Sequence, residues 1–187
     1  SINITGWHIG STLTGKAETI GSGTSLPNSG GVNSETAITL EPGDRAFIVS
    51  GRSPIGVSFK TNICTGYFEQ FQDFSPQIQR MCPTARNEIE DFGTVPFYDD
   101  SCYDYVNRIP QCSMVTGETP LLSPACFDFL SRAIHYSGCV ENHRDDKNFF
   151  GSEWRIYLGR DEEQWRARRE VIRLLDAEGK TVDVFTY

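Results

Sequence analysis

The sequence predicts a mainly β protein, a β-sandwich interrupted by a helical and irregular insertion that disulfide bonds hold together. Three observations support this prediction. Strand-like segments occupy both ends of the 187-residue chain, all six cysteines lie between them, and the same middle segment contains short helical stretches broken by prolines. We therefore expect residues 1–60 and 151–187 to form one β-sandwich and residues 61–150 to form the insertion.

The first flank begins with a strand-like segment in which Ile2 and Ile4 alternate with polar residues. Trp7 and Ile9 continue the segment in the opposite phase, which indicates a bulge at Gly6. After a turn at residues 14–16 we expect a strand over 17–20, then a surface loop over 21–34, which is rich in Gly, Ser and Asn. Further strands are expected at residues 37–40, 45–49 and 56–60.

The second flank returns to the β pattern. A strand is expected over 154–158, one or two helical turns over 161–170, and a hairpin formed by 171–175 and 181–187. If the two flanks share one sandwich, their apolar side chains share one core. The residues expected in that core are Trp7, Leu40, Phe47, Leu158 and Leu174.

In the middle segment the main helix is expected over 124–136. Ser123 is a suitable N-cap, Pro124 suits the first turn, and Gly138 follows the expected end. The apolar face is expected to carry Phe127, Leu130 and Ile134. Residues 101–109 are a second, shorter candidate that Pro110 ends.

The cysteines of the middle segment predict three disulfides rather than a metal site. Neither C-x-x-C spacing nor a histidine at zinc-finger spacing occurs, and six free thiols in a cytosolic protein are the alternative. Disulfides imply an oxidising, extracytoplasmic compartment, so that the protein is expected to be secreted or at the cell surface. The cysteines are Cys64, Cys82, Cys102, Cys112, Cys126 and Cys139.

Sequence leaves the 15 pairings of six cysteines open, but geometry restricts one of them. A helix rises about 1.5 Å per residue, so Cys126 is expected roughly 15 Å from the end of the helix. A disulfide requires Cα atoms about 4.4–6.8 Å apart, a separation that the short segment leading to Cys139 cannot reach. We therefore expect Cys126 to bond to a cysteine other than Cys139.

Net charge is −8, and the excess lies in the middle segment, where residues 61–150 hold six basic and thirteen acidic side chains. A phosphate backbone repels such a surface, so nucleic acid is not an expected partner. No apolar run approaches the roughly 18 residues of a membrane span, so this segment is not expected to insert into a membrane. The chain begins directly in strand-like sequence and is interpreted as a piece of a longer protein.

Two segments resemble phosphate-binding motifs. Residues 10–17 (GSTLTGKA) match a P-loop as far as Lys16, but Ala17 stands where Mg²⁺ needs a hydroxyl. A hairpin turn is therefore the favoured interpretation, and no cofactor is expected. Four of the five arginines of a basic cluster also follow the acidic residues 161–163, an arrangement typical of a short solvated helix. That cluster consists of Arg160, Arg166, Arg168, Arg169 and Arg173.

Two acidic groups can be compared with calcium loops. Neither follows the alternating order of an EF-hand, so Ca²⁺ remains an alternative to the favoured interpretation, solvated loop acids, and no metal ligand is assigned. The first group is Asp99, Asp100 and Asp104, and the second is Glu141, Asp145, Asp146 and Asn148.

Catalytic motifs of nucleophilic enzymes are missing from the sequence. Neither G-x-S-x-G nor S-x-x-K occurs, and His8 on a strand and His135 at a helix end have structural explanations. No catalytic residue is therefore assigned. Asn3 lies in a glycosylation sequon, which matters only in a host that glycosylates.

The two flanks resemble the lamin-tail domain. Residues 2–7 (INITGW) are similar to the opening strand of that family, and residues 40–46 (LEPGDRA) are similar to its proline-glycine turn. Residues 172–183 (IRLLDAEGKTVD) are similar to its closing hairpin, which here ends at Tyr187. The resemblance covers about half of the chain and omits residues 61–150. It implies an immunoglobulin-like β-sandwich, and the cysteines favour the bacterial, extracytoplasmic branch of the family.

Because that family is a non-catalytic scaffold, the resemblance implies binding or structure. The expected function is adhesion, anchoring or protein–protein interaction as a module of a larger envelope protein, with a protein or a cell-envelope component as partner. The alternative is a secreted hydrolase whose site lies in the acidic, aromatic insertion. A cleft with two facing carboxylates, or an Asp–His pair that uses His135 or His143, would favour the enzyme.

Overall fold

The computed structural model describes residues 1–28, 30–96, 99–117 and 121–187. The strands are β1 (Ile2–Asn3), β2 (His8–Ser11), β3 (Ala17–Thr19), β4 (Thr39–Leu40), β5 (Arg45–Val49), β6 (Phe59–Asn62), β7 (Phe150–Tyr157), β8 (Val171–Leu175) and β9 (Thr181–Thr186). The helices are a 3₁₀ helix (Thr65–Gln70), α1 (Ala85–Phe92), α2 (Asp100–Val106), α3 (Pro124–Ala133) and α4 (Tyr136–His143).

The chain divides into two compact units. Ser1–Thr61 with Ser152–Tyr187 forms one, here called the β unit, and Asn62–Gly151 forms the other, here called the helical unit. The sequence predicts boundaries at residues 60/61 and 150/151, each one residue before the observed one. A mainly β protein with a disulfide-rich helical insertion is therefore the architecture observed.

Strands from both flanks interleave in the β unit. One sheet has the order β3-β2-β8-β9, with β2 antiparallel to both β3 and β8. In a second sheet β7 lies between β5 and β6 and runs parallel to β5. β1 pairs with β4. The hairpin of β8 and β9 is the one that the sequence predicts.

The core of the β unit also draws on both flanks. Its buried members are Ile4, Ile20, Ile38, Trp154 and Ile156, with Trp7, Leu40, Ala46 and Ile48 packed against them. Two of the five expected core residues are thus present.

The prediction was wrong for Phe47, Leu158 and Leu174. In β5 the neighbouring side chains Ala46 and Ile48 face the core, and because side chains alternate along a strand, Phe47 faces away. Its ring instead lies 4.8 Å from the guanidinium of Arg155. Leu158 and Leu174 are half-buried and lie outside the cluster.

The expected continuous first strand is divided at Gly6. Its backbone has a φ of 86°, a left-handed conformation that favours glycine. The residues before this turn form β1 and those after it form β2, which belong to different sheets. A change of sheet, rather than a bulge, therefore accounts for the change of phase.

Residues 161–170 do not form the expected helical turns. Arg169 has a positive φ of 57°, which a right-handed helix does not accommodate. The backbone N–H of Arg166 donates to the carboxylate of Glu170. Side-chain contacts thus organise the segment, and the basic cluster lies on an irregular loop and on β8.

Helix α3 begins as the sequence predicts and ends earlier. The Ser123 hydroxyl accepts a hydrogen bond from the N–H of Cys126, and Pro124 is the first helical residue. The helix ends at Ala133 rather than at 136, because His135 is extended and accepts from the N–H of Gly138 to begin α4. Gly138 is therefore inside a helix and not a C-terminal signal.

The buried face of α3 differs from the expected one. Phe127 is 44% exposed, whereas Leu130 and Ile134 are buried as predicted. Cys126, Phe129, Leu130 and Ala133 form the buried side of the helix. The buried face of α3 thus differs from the expected one, because Phe127 is exposed and Phe129 is buried instead.

All six cysteines are paired, and all three disulfides lie within the helical unit. Cys64 bonds to Cys139, Cys82 to Cys112, and Cys102 to Cys126. The prediction that Cys126 would not bond to Cys139 is confirmed. Cys126 joins the first turn of α3 to α2, and α2 is the shorter helix that the sequence predicts over 101–109.

Candidate functional site

A polar cleft in the β unit is the candidate functional site. It has a volume of about 540 Å³ and lies between β3 with the turn before it, the segment around Arg52, and the loop from Gly159 to Gln164. Cavities of this size accept small ligands. Its charged lining consists of Lys16, Arg52, Arg160, Glu18, Asp161 and Glu162.

Each cation of the cleft is paired with a carboxylate from another segment. Arg52 binds Asp161 with two parallel hydrogen bonds, from Nε to Oδ1 at 2.8 Å and from Nη2 to Oδ2 at 2.6 Å. This bond and the charge of Asp161 raise the pKa of Arg52 above its ordinary value. Arg160 pairs with Glu18. The fork geometry fixes the orientation of both planar groups.

Lys16 forms the third pair. Its Nζ lies 3.4 Å from Oε2 of Glu162 and also donates to the backbone carbonyl of Glu163 at 3.4 Å. The lining therefore has three cationic and three carboxylate side chains and a net charge of zero. The pairs tie the loop at 159–164 to β3 and to Arg52, and they place donors and acceptors side by side in the walls.

Gln164 is the exceptional side chain of the lining. The residue is only 3% exposed, and both its amide nitrogen and its amide oxygen are buried without a hydrogen-bond partner among the described residues. A buried polar atom without a partner costs about 1–3 kcal/mol. Such groups are uncommon in native proteins, and each calls for a physical explanation such as strain, a functional role or a bound water or ion.

Glu170 holds the other end of the cleft loop. Its carboxylate accepts hydrogen bonds from the Ser11 hydroxyl at 2.7 Å and from the N–H groups of Arg166 and Val171 at 2.9 and 2.8 Å. These bonds, led by that of the Arg166 N–H, lower the pKa of Glu170 below its ordinary value despite burial. The loop is thus anchored to β2 through Ser11.

A second cleft in the β unit adjoins the first. It has a volume of about 490 Å³ and shares Arg52 and Gly159 with it. Its other lining groups include the hydroxyls of Ser22, Ser53 and Ser58. Arg52 therefore borders two polar cavities on the same unit.

An acid–histidine pair is present in the helical unit. Nε2 of the His143 ring lies 2.7 Å from Oε1 of Glu88, and Nδ1 lies 2.8 Å from Oδ2 of Asp146. Glu88 is 3% exposed and also accepts from the side-chain amide of Asn142. Burial lowers the pKa of His143, but the bonds and charges of Asp146 and Glu88 outweigh it, so that its pKa lies above the ordinary value.

This constellation differs from a catalytic dyad in one respect. A general base needs one ring nitrogen directed at the nucleophile or at substrate, and the second nitrogen held by a carboxylate. In His143 both nitrogens are held by carboxylates. The arrangement stabilises a charged imidazolium and joins α4 to α1.

In each acidic group considered for calcium, one carboxylate has structural contacts. Asp99 caps α2 by accepting from the N–H of Cys102, and hydrogen bonds from Ser123 and Ser101 lower its pKa. Asp146 binds His143. Within the described residues, no three His, Cys, Asp or Glu side chains are grouped in a way that could hold a metal ion.

The remaining motifs also have structural roles. Residues 10–17 form the predicted hairpin turn, and His8 bonds to Thr19 across it. His135 caps α4. In the described part of the chain, no helix has both the length and the apolar composition that crossing a bilayer requires.

The main residues of the cleft were not recognised from the sequence. Gln164 lies next to Glu163 in a segment interpreted as a solvated helix, and Arg52 stands alone in a loop. The cleft brings together three segments separated by 30 residues or more, so no local spacing could have revealed it. Comparisons of the chain with protein-family models, with curated proteins and with solved structures give no match.

Proposed function

We propose that the chain is a non-catalytic binding module of a larger extracytoplasmic protein. The observation that carries the proposal is the cleft of the β unit. Among the described residues, its lining has paired charges and a buried, unpartnered amide, Gln164, and includes no nucleophile–base pair. Such a site suits recognition of a polar group. The expected partner is a protein or a cell-envelope component.

The compartment is part of the same proposal. Three disulfides favour an oxidising environment, and a secreted or cell-surface location is its more specific form. We also propose that the β unit is an immunoglobulin-like sandwich of the lamin-tail type. The shared core of both flanks and the closing hairpin of β8 and β9 support that assignment.

A sedimentation assay on isolated bacterial cell envelopes tests the function. We expect the purified protein to cosediment with envelopes, and Gln164→Met to weaken cosedimentation at least several-fold. His143→Asn, which alters the helical unit, is the matched control and should bind as the wild type does. Equal sedimentation of wild type and Gln164→Met, or no sedimentation of either, would contradict the proposed site.

A secreted hydrolase is the second candidate, and the contacts of His143 with Glu88 and Asp146 favour it. An enzyme of this kind would lose turnover in His143→Asn and in Asp146→Asn. We expect no hydrolysis of ester, glycoside, peptide or phosphate substrates by the wild type. Turnover that disappears with His143 while Gln164→Met retains it would establish the enzyme instead.

A further inference from the structure

We infer that the cleft of the β unit takes a neutral, polyhydroxylated ligand, such as the sugar units of a glycan. The inference rests on the proposed binding function and names the chemical class of its ligand. It follows from three properties of the cleft, which are the unpartnered amide, the balance of charge and the mixture of donors and acceptors.

The amide of Gln164 supplies the free hydrogen-bonding capacity. A primary amide has two N–H donors and one carbonyl acceptor, and none of these is used within the described residues. A ligand hydroxyl can accept from the amide nitrogen while its neighbour donates to the amide oxygen. Both amide atoms are buried in the structure, so the Gln164 side chain changes its torsion angles when the ligand binds. Adjacent hydroxyls on a sugar ring then match both atoms.

The charge balance disfavours an ion. Because Arg52, Arg160 and Lys16 are each paired with a carboxylate, a phosphate or a carboxylate ligand would have to displace a partner and would then face three acidic side chains. A cationic ligand would likewise have to displace Arg52, Arg160 or Lys16 from its carboxylate and would then face these three cations. A neutral ligand leaves all three pairs intact.

The paired charges nevertheless remain available to hydroxyls. A guanidinium keeps N–H donors beyond those used by one carboxylate, and a carboxylate oxygen accepts more than one hydrogen bond. A hydroxyl both donates and accepts, so it fits walls in which Arg52 and Asp161 lie side by side. The lining given by the described residues contains no aromatic ring, so we expect hydrogen bonding rather than ring stacking and a weak, millimolar affinity.

Protein NMR with defined probes tests the inference. Neutral oligosaccharides of glucose, galactose, mannose, xylose and N-acetylglucosamine are titrated separately into ¹⁵N-labelled protein, with inorganic phosphate and diglycine as charged comparisons. We expect at least one oligosaccharide to shift the side-chain NH₂ signal of Gln164 and the backbone signals of residues 159–164. Gln164→Met should abolish these shifts.

Stability provides a second, independent readout. Replacing an unpartnered amide by a thioether should leave the Tm of Gln164→Met unchanged or higher. Gln70 is the matched control, because its amide donates to the Met114 carbonyl at 3.0 Å and accepts from the Met114 N–H at 2.7 Å. Gln70→Met should therefore lower the Tm and leave sugar binding intact.

The outcomes separate the inference from the function on which it rests. Shifts in the cleft caused by phosphate or diglycine but not by any oligosaccharide would overturn the ligand class and retain a binding module. Envelope binding without any sugar-dependent shift would overturn it as well. A fall in Tm for Gln164→Met as large as that for Gln70→Met would show that the amide has an internal partner, which would also refute the inference.

Discussion

Single buried carboxylates join segments that are far apart in sequence. Glu170 gathers donors from Ser11 and from its own loop, and Glu88 on α1 binds Asn142 and His143 at the end of α4. Hydrogen bonds to a charged group contribute more than neutral ones, and a buried charge that loses its donors is costly. Each carboxylate therefore offers a test of the structure at the residue scale.

Replacing Glu170 by Gln should destabilise the β unit and disturb the cleft loop. The amide keeps an oxygen at only one of the two carboxylate positions, so its NH₂ group faces the N–H of either Arg166 or Val171, whereas the carboxylate accepts from both. We expect Tm to fall by several degrees at neutral pH. Because the pKa of Glu170 is depressed in the folded state, its contribution is present above the unfolded value of about 4.3 and is lost as the pH falls through the lower folded value.

Differential scanning calorimetry of wild type and Glu170→Gln between acid and neutral pH checks this prediction. Glu163→Gln, a change at an exposed neighbour, is the control and should leave the Tm unchanged. A Tm difference for Glu170→Gln that stays constant down to the lowest pH would count against the assigned ionisation.

His143 should make the stability of the helical unit fall as the pH rises. Its pKa is raised on folding, so the stabilisation is complete below the unfolded value of about 6.5 and disappears as the pH rises through the folded value. Glu88→Gln removes the buried partner and should cost about 1.5–3 kcal/mol at a pH below the unfolded value. Above the folded pKa the cost should be smaller.

Proton NMR titration of the His143 ring and chemical denaturation at two pH values measure these effects. Asp146→Asn is an instructive comparison, because Asp146 is the more exposed partner, at 57% against 3% for Glu88. Its effect should be smaller than that of Glu88→Gln. A His143 pKa at or below 6.5 would refute the prediction.

Among the helices and strands, the boundary between α3 and α4 depends on close contact at Gly138. A Cβ atom added there would lie 2.1 Å from the backbone oxygen of Arg132 and 2.9 Å from the Cα of Ala133. Backbone atoms on both sides cannot move independently. The second helix can start immediately after the first only because this residue lacks a side chain.

Gly138→Ala should therefore destabilise the helical unit although alanine favours helices. We expect a loss of about 1–3 kcal/mol from overpacking, which exceeds the gain of roughly 1 kcal/mol in helix propensity. Ser137→Ala, one residue away on the exposed side, is the control and should be neutral. Equal free energies of unfolding for Gly138→Ala and wild type would show that α3 and α4 are arranged differently.

For the whole molecule, both units have an apolar core, but only the helical unit adds disulfides to it. The β unit has an apolar core to which both ends of the chain contribute, and all six cysteines lie in the helical unit. The disulfides of that unit connect residues 75, 30 and 24 apart in sequence. On the chain-entropy model each contributes roughly 3.5–4.5 kcal/mol by restricting the unfolded chain, and the longest loop contributes most.

Reduction should therefore unfold the helical unit before the β unit. Hydrogen exchange with mass spectrometry of the full chain, with and without reductant, is expected to show lost protection in α1–α4 and retained protection in β2, β5, β7 and β8. The Cys102→Ser/Cys126→Ser double variant should affect α2 and α3 most. Loss of protection in the β strands at the same reductant concentration would contradict this prediction.

The sequence by itself determined the features that depend on neighbouring residues. Ser123 and Pro124 begin α3, because capping is satisfied within four residues, and the hairpin of β8 and β9 follows from alternation around one turn. The bond between Cys126 and Cys139 was excluded from the rise of a helix expected over 124–136, and the pairing agrees although α3 ends at Ala133. The interleaving of the two flanks followed from the β pattern at both ends of the chain.

Only the tertiary structure decided the features that depend on distant residues. α3 ends where it does because His135 caps the next helix by accepting from the N–H of Gly138. The segment 161–170 is a loop because its backbone binds the Glu170 carboxylate, although its charge pattern is typical of a helix. The cleft needs three segments that meet in space, and Gln164 is distinctive only because its surroundings leave it without a partner. Capping and turn formation depend on a few neighbouring residues, whereas the burial of a side chain and its hydrogen-bond partners depend on the whole folded chain.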